Sequence, residues 1–307
     1  MKISHLLLLL LMNLCWAGMY SAYKFIEKDL PLAGASSVIV TLRFGLAGLC
    51  LAAVWPLFKG ATPKGRDLAA TCLMGVVLFV IGQRLQVYGN QIGSAGNSSV
   101  LMSIEPLVTS VGGAVFFHER IGPRRIAGFF LGLCGVVALN RVWQPGFQWV
   151  GLAPSLIFVS SFFCETGYTV LGKPVIMRAS VMKMITISLL VGLGINLLID
   201  GRSTVAAAQH LSLTSWALLF FLAIVCTAIG YSVWFVVIRE CPINLAALTI
   251  FAQSVFGVLF AALWVGEKLH WGHLFGSLII VAGLALGLSR QIKPPHETAP
   301  DGGPSGH

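Results

Sequence analysis

Asn97–Leu139 reads NSSVLMSIEPLVTSVGGAVFFHERIGPRRIAGFFLGLCGVVAL, and its text returns 148 residues later. The shift lays Ala114 on Ala262, Glu119 on Glu267, Gly128 on Gly276 and Gly135 on Gly283. Each copy is a long apolar run, a short Glu-Arg or Glu-Lys turn, and a second apolar run spaced by glycines. The copies part at one position that chemistry would notice, where Glu105 in the first faces Gln253 in the second. A carboxylate inside an apolar run is the feature that needs a reason.

The composition sets the medium. Of 307 residues, 57% are hydrophobic and only 10% charged, far from the roughly half apolar and quarter charged of a soluble domain. The chain reads as an all-α integral membrane protein whose first partner is the lipid bilayer. A net charge of +9 comes from Lys and Arg scattered singly between apolar runs, a pattern of membrane topology and not of a nucleic-acid surface.

A helix crosses a bilayer with about 20 largely apolar residues. Ten segments meet that pattern, some of them short: Ser4 to Phe25, Ser36 to Phe58, Asp67 to Tyr88, Ala95 to Phe117, Arg125 to Asn140, Val150 to Gly172, Val181 to Ile199, Leu213 to Ile238, Asn244 to Val265, and Trp271 to Ser289. The leucine-rich start imitates a signal peptide, but it continues through Trp16, Tyr20 and Tyr23 without a small-x-small site and reads as the first span. Residues 291–307, rich in Pro and Gly, are expected to be a disordered cytoplasmic tail. With the amino terminus inside, 13 Lys and Arg fall on the cytoplasmic side and 5 on the outer side. Both termini are therefore expected in the cytoplasm, the chain being multi-pass in the cell's inner (plasma) membrane.

Five spans separate the copies, and five is odd, so the second copy must run through the membrane upside down. Residues 1–142 and 149–290 then form two inverted-topology five-helix repeats, with a site expected between them near the midplane. The spacings Gly128–Gly132 and Gly283–Gly287 allow close helix approach; packing within one chain is the first reading and a homodimer face the second.

Charged residues in a span cost about 2.5 to 3.5 kcal/mol on insertion scales and usually face a cavity or a partner. Counting along the helices puts Arg43 and Glu105 near the midplane, Glu165 in the inner half of the sixth span, and Arg84 toward the outer end of the third. Glu105 is read as a binding carboxylate or proton carrier, with a structural pair to Arg43 as the alternative; Pro106 beside it is expected to kink the helix. Ser161, Glu165 and Tyr168 share one face and are expected to line water. Asn13, Trp16, Tyr20 and Lys24 form a stripe on the first span, read as a cavity wall. Tyr231, Trp234, Thr249 and Gln253 could form the opposite wall, and Gln83 lies on a polar stripe of the third span that ends in a wet outer turn with Arg84. The seven cysteines lack a Cys-x-x-Cys pair or a neighbouring histidine, so no metal or disulfide role is expected.

The chain resembles the EamA-type transporters of the drug/metabolite transporter superfamily. The residues that carry the likeness are Trp16-Ala17-Gly18 with Lys24, Arg43-Phe44, Pro106, His118-Glu119-Arg120-Ile121, Tyr168-Thr169-Val170 and Gly266-Glu267-Lys268-Leu269. The resemblance covers about residues 4–290 and implies a ten-helix carrier of small metabolites, often amino acids, commonly moving them outward. Two residues depart from the family pattern: Glu165 stands where a Trp is usual, and Glu105 where an apolar or small residue is.

The expected function is a secondary carrier, an exporter of an amino acid-like or amphiphilic solute, working by alternating access with proton or exchange coupling. No nucleotide-binding loop is present, and no cofactor or catalytic residue is assigned. The expected substrate-binding set is Glu105, Glu165, Arg43, Trp16, Tyr20, Asn13, Gln83, Tyr168, Trp234 and Gln253. The alternative is an integral membrane enzyme acting on a lipid or lipid-linked substrate, which would need a catalytic cluster near one interface.

Overall fold

The computed structural model describes residues 2–30, 35–92, 101–144, 152–260, 263 and 271–289, without the side chains of Tyr20, Ser21, Lys24, Ala35, Ser36 and 90–92. Among these residues the structure is helix and turn, with no strand. In chain order the helices are α1 (Ile3–Ala17), α2 (Met19–Glu27), α3 (Ala35–Ala53), α4 (Arg66–Gly89), α5 (Glu105–Phe117), α6 (Pro123–Leu139), α7 (Leu152–Ile176), α8 (Val181–Ala208), α9 (Leu213–Glu240), α10 (Ile243–Phe260) and α11 (Trp271–Leu288). Six of them, α4 and α7 to α11, are long and apolar enough to cross a membrane, and α1, α3 and α5 are shorter apolar helices. The first apolar segment, expected as a single span, is broken at Gly18 into α1 and α2.

Helix α5 starts later than its apolar run. Pro106 has no N–H to give, and the backbone turns at Ser103 and Ile104 before the helix resumes at Glu105. Glu105 therefore stands in the first turn of a helix, where the unpaired N–H groups and the helix dipole favour a negative charge. The residue that looked misplaced in an apolar run has a local reason to be there.

Two helices change their winding. Gly75–Gly82 within α4 and Leu222–Ile229 within α9 are π-helical, eight residues each; Gln83 N–H, for instance, reaches back to Leu78 O. The segments lie 147 residues apart in the chain. Wider winding frees carbonyls from the helix ladder, and other helices take them up. Asn196 Nδ2 donates to Phe79 O at 2.9 Å and Trp16 Nε1 to Cys226 O at 2.7 Å. Phe79 and Cys226 occupy the same place in their respective segments.

Helices α6 and α11 approach closely along a glycine seam. A Cβ on Gly128 would meet Gly283 O at 2.8 Å, and one on Gly135 would meet Gly276 O at 2.8 Å. The pairing runs antiparallel, and a shift of 148 residues exchanges one contact for the other. Elsewhere Gly45 of α3 lies against Leu193 of α8, its own counterpart under that shift, and Gly82 against Cys164 mirrors Gly230 against Trp16. The glycine spacings thus serve packing inside one chain.

Polar anchors hold the ends. Glu119 accepts from Lys173 Nζ at 2.8 Å, Ile243 N at 2.8 Å and Asn244 N at 3.1 Å, capping α10 from the α5–α6 turn. Arg84, expected at a wet end of its span, is instead paired: its guanidinium meets Asp200 at 2.6 Å and also donates to Asn196 and Ser37. Asp200 sits at a kink in α8, with φ −137° and ψ 19°. Asp29, outside the apolar helices, accepts from Ser212 N at 2.9 Å and Ser215 Oγ at 2.6 Å at the start of α9.

Two outcomes follow. Gly276→Ala puts a methyl into the backbone of α6 and is expected to cost about 1–3 kcal/mol or more, seen as a lower thermal midpoint in detergent. Gly257→Ala, with nothing within 4 Å of its Cβ, leaves the midpoint in place. The hydroxyls of Ser212 and Ser215, with the Ser212 amide, hold the Asp29 carboxyl below the usual carboxylate range. A lowered folded pKa gives stability that is complete above about pH 4 and lost as pH falls through the folded value. The midpoint difference between wild type and Asp29→Asn should therefore shrink as the buffer is taken from about pH 6 to about pH 3.

Candidate functional site

Side chains of α1, α2, α3, α4, α5, α7, α9 and α10 converge on two adjoining cavities of about 30 Å³ and about 20 Å³. Trp16, Glu105, Glu165 and Tyr231 line both. The first adds Arg43, Gln83 and Gln253, and the second adds Trp234, Thr109 and Thr169. At about 10–15 Å³ per water, the first has room for two or three waters and the second for one or two. A metabolite fits only after the walls part.

Each wall residue is positioned by a bond that the packing explains. Glu165 Oε1 accepts from Gln83 Nε2 at 2.8 Å, and Gln83 sits immediately after the π-helical segment of α4. Arg43 is 2% exposed. Its Nε donates to Thr227 Oγ1 at 2.9 Å, its Nη1 donates to the Tyr23 hydroxyl, and its guanidinium carbon stands 4.7 Å from the Phe44 ring centroid. No ion pair joins Arg43 to Glu105, so the alternative of a structural pair is not what the structure contains. Thr109 and Thr166 bridge α5 and α7 at 3.3 Å, close to both carboxylates in sequence.

Aromatic rings form the rest of the wall. Trp16 and Tyr231 have ring centroids 5.8 Å apart, and Trp234 Nε1 donates to Thr169 Oγ1 at 3.1 Å. Behind Tyr231, the Phe79, Tyr168 and Phe235 rings pack edge-on or tilted at 5.3–5.6 Å.

The sequence-expected residues divide accordingly. Glu105, Glu165, Arg43, Trp16, Gln83, Trp234 and Gln253 are brought together at the cavities. Asn13 is fully buried behind them, donating to Leu9 O and Thr249 Oγ1 and accepting from Gln253 Nε2 at 2.9 Å. Tyr168 stands in the aromatic layer and not on the cavity wall, with its hydroxyl 3.5 Å from Ser188. Ser161, expected to face water with Glu165, is 1% exposed and donates back to Phe158 O. Tyr20 and Lys24 have side chains outside the described residues. Thr109 and Thr169 were not singled out by sequence, yet each follows a cavity glutamate by four residues, one helical turn; that spacing was the available signal.

The wall is polar, aromatic and enclosed by apolar helices, as a solute carrier requires. A model of the EamA-like transporter family matches residues 3–141 and 152–289. The chain belongs to the EamA-like transporter family. It is a multi-pass membrane protein. This EamA-like chain is 26% identical to an uncharacterized transporter of Archaeoglobus fulgidus over 94% of its length and 98% of that protein's. It is 27% identical to a probable amino-acid metabolite efflux pump of Salmonella typhimurium, covering 78% of this chain and 83% of that one. A probable terminal-alkyne amino-acid exporter of Streptantibioticus cattleyicolor is 23% identical, with 91% of each chain covered. A solved crystal structure superposes with a TM-score of 0.73 at 16% identity, covering 93% of this chain and 96% of that one; at that identity the likeness is one of fold.

Asn13 tests how the wall is held. Asn13→Ala removes the acceptor of Gln253 and the partner of Thr249, and is expected to cost about 1–3 kcal/mol, measured by thermal unfolding.

Proposed function

We propose that this EamA-like chain is a secondary carrier that exports a small metabolite, amino acid-like or amphiphilic, by rocking two inverted five-helix halves about the cavities. The observation that carries the proposal is that Glu105 from α5 and Glu165 from α7, one in each half, line the same two cavities. The antiparallel contacts that exchange under the 148-residue shift support the inversion, and the two π-helical segments support it from different atoms. Outward direction rests on the names of the relatives. With the termini in the cytoplasm, the Glu119 cap closes the cytoplasmic side and must open for uptake from that face.

The binding set is Glu105, Glu165, Arg43, Trp16, Gln83, Trp234 and Gln253, joined by Tyr231. Coupling is to protons or to an exchanged solute. The titratable groups near the carboxylates are Arg43 on α3, Tyr23 on α2, Cys164 and Tyr168 on α7, and Cys226 and Tyr231 on α9. Phenols, thiols and guanidinium keep one form through neutral pH in the ordinary case, which leaves the two glutamates to carry a proton.

Purified protein in proteoliposomes, with labelled amino acids and their amine derivatives and an imposed pH gradient, tests the reading. Glu105→Gln is expected to lower saturable transport at least about tenfold, as loss of a charged partner does, and to flatten its pH dependence. Unchanged transport and pH profile in that variant would rule out the carboxylate role. Failure of every solute to move, with appearance of a modified lipid, would replace the carrier by an enzyme.

A further inference from the structure

We infer that the space between Glu105 and Glu165 is an acceptor site for a protonated amine, so that the substrates are monovalent organic ammonium cations with an aromatic or apolar body, selected over zwitterions. The inference rests on the carrier reading and narrows it.

The observation is an imbalance between donors and acceptors. Four N–H donors of the wall are engaged within the protein: Trp16 Nε1 on Cys226 O, Trp234 Nε1 on Thr169 Oγ1, Gln253 Nε2 on Asn13 Oδ1, and Gln83 Nε2 on Glu165 Oε1, while the Gln86 amide on the same wall has no such bond among the described residues. Arg43 turns two of its N–H groups away to Thr227 and Tyr23. The acceptors are not so engaged. Gln83 is 3% exposed and its Oε1 is buried with no hydrogen-bond partner. Its amide cannot simply be flipped, because the flip would set oxygen against the Glu165 carboxylate. A buried acceptor without a partner is costly to the fold, and it asks for a donor.

Gln83 Oε1, the Glu165 carboxylate and the Glu105 carboxylate belong to residues of one cavity. A primary ammonium offers three N–H donors and no acceptor, the complement of such a set. Charge gives the same answer. When both glutamates are ionised, two carboxylates stand against one guanidinium, and one bound cation neutralises the remainder. Trp16 and Tyr231 supply aromatic faces on which a cation is further stabilised. A zwitterion would bring its own carboxylate beside two others, with only the remaining N–H groups of Arg43 and Gln86 to answer it, and is disfavoured by the surplus of negative charge.

Four probes of nearly equal shape separate the possibilities: L-phenylalaninamide as cation, L-phenylalanine as zwitterion, N-acetyl-L-phenylalanine as anion and N-acetyl-L-phenylalaninamide as neutral body. Binding to the purified full chain is followed by tryptophan fluorescence, and transport of the same probes in proteoliposomes. The cation is expected to bind at least tenfold more tightly than the zwitterion, with the anion and the neutral probe weaker still. Gln83→Met should weaken the cation about tenfold, and Glu105→Gln should bring the cation-to-zwitterion ratio below threefold; the wild-type ranking stands even if either variant fails to fold. Equal or better binding and transport of the zwitterion overturns the ammonium assignment and leaves the carrier standing. Binding of none of the four overturns it as well, whereas the carrier reading falls only if no solute moves in the wider panel above.

Discussion

Inside hydrocarbon a polar group has no water to fall back on, so every N–H, carbonyl and charge must be answered by the protein. This constraint accounts for most of what is unusual in the structure. The wide-wound segments Gly75–Gly82 and Leu222–Ile229 release carbonyls from their own ladders, and Asn196 and Trp16 come from neighbouring helices to bond them. Arg84 is answered by Asp200, Asn196 and Ser37, and Glu119 by Lys173 and two backbone amides. Among the described residues three buried side-chain atoms have no partner, Ser110 Oγ, Asn244 Nδ2 and one atom at the cavities. Gln83 Oε1 is that atom at the cavity wall.

Repetition explains the scaffold, and departure from repetition explains the site. The glycine seam of α6 and α11 has contacts that exchange under the shift, which means each half presents the same surface to the other. The cavity does not share that equivalence. Glu105 has a neutral counterpart in Gln253, and the two differ in what they meet: Gln253 is tied to Asn13, while Glu105 heads a helix and faces the open space. On the proposed carrier reading, symmetric packing would let two halves move against one another, and unlike walls would let one bound solute be recognised in a defined orientation.

Much of the scaffold was legible in the text of the chain because glycine spacing and apolar length are local properties. The echo between Asn97–Leu139 and its copy pointed to the seam, and helix lies in each of the ten apolar segments. The site was legible to the extent that charge in an apolar run is conspicuous, which found Glu105, Glu165 and Arg43. Partners were harder. Asp200 lies past the end of an apolar run and looked like part of a loop, yet the kink there turns it onto Arg84. Tyr168 and Ser161 share a helical face with Glu165, but α7 meets different neighbours along its length, and only Glu165 faces the cavity. Periodicity gives a face; it does not say which neighbour covers each turn of it. The π-helical segments had no sequence signal at all, since they depend on donors supplied from other helices.

The cavity dimensions add a constraint on how such a site can work. Each space has room for only a few waters, so on the proposed carrier reading binding of a metabolite goes with separation of the walls, and whatever favours closure must be offset by contacts to the solute. Gln83 follows directly on the first π-helical segment and Tyr231 lies two residues beyond the second, so a return to tighter winding would shift both side chains along their helices. Solute contact at these residues would therefore bear on the winding of α4 and α9, the two helices whose altered segments correspond across the repeat. A wall that shifts with helix winding links the occupancy of the site to the relation between the halves, which is the coupling an alternating-access carrier needs.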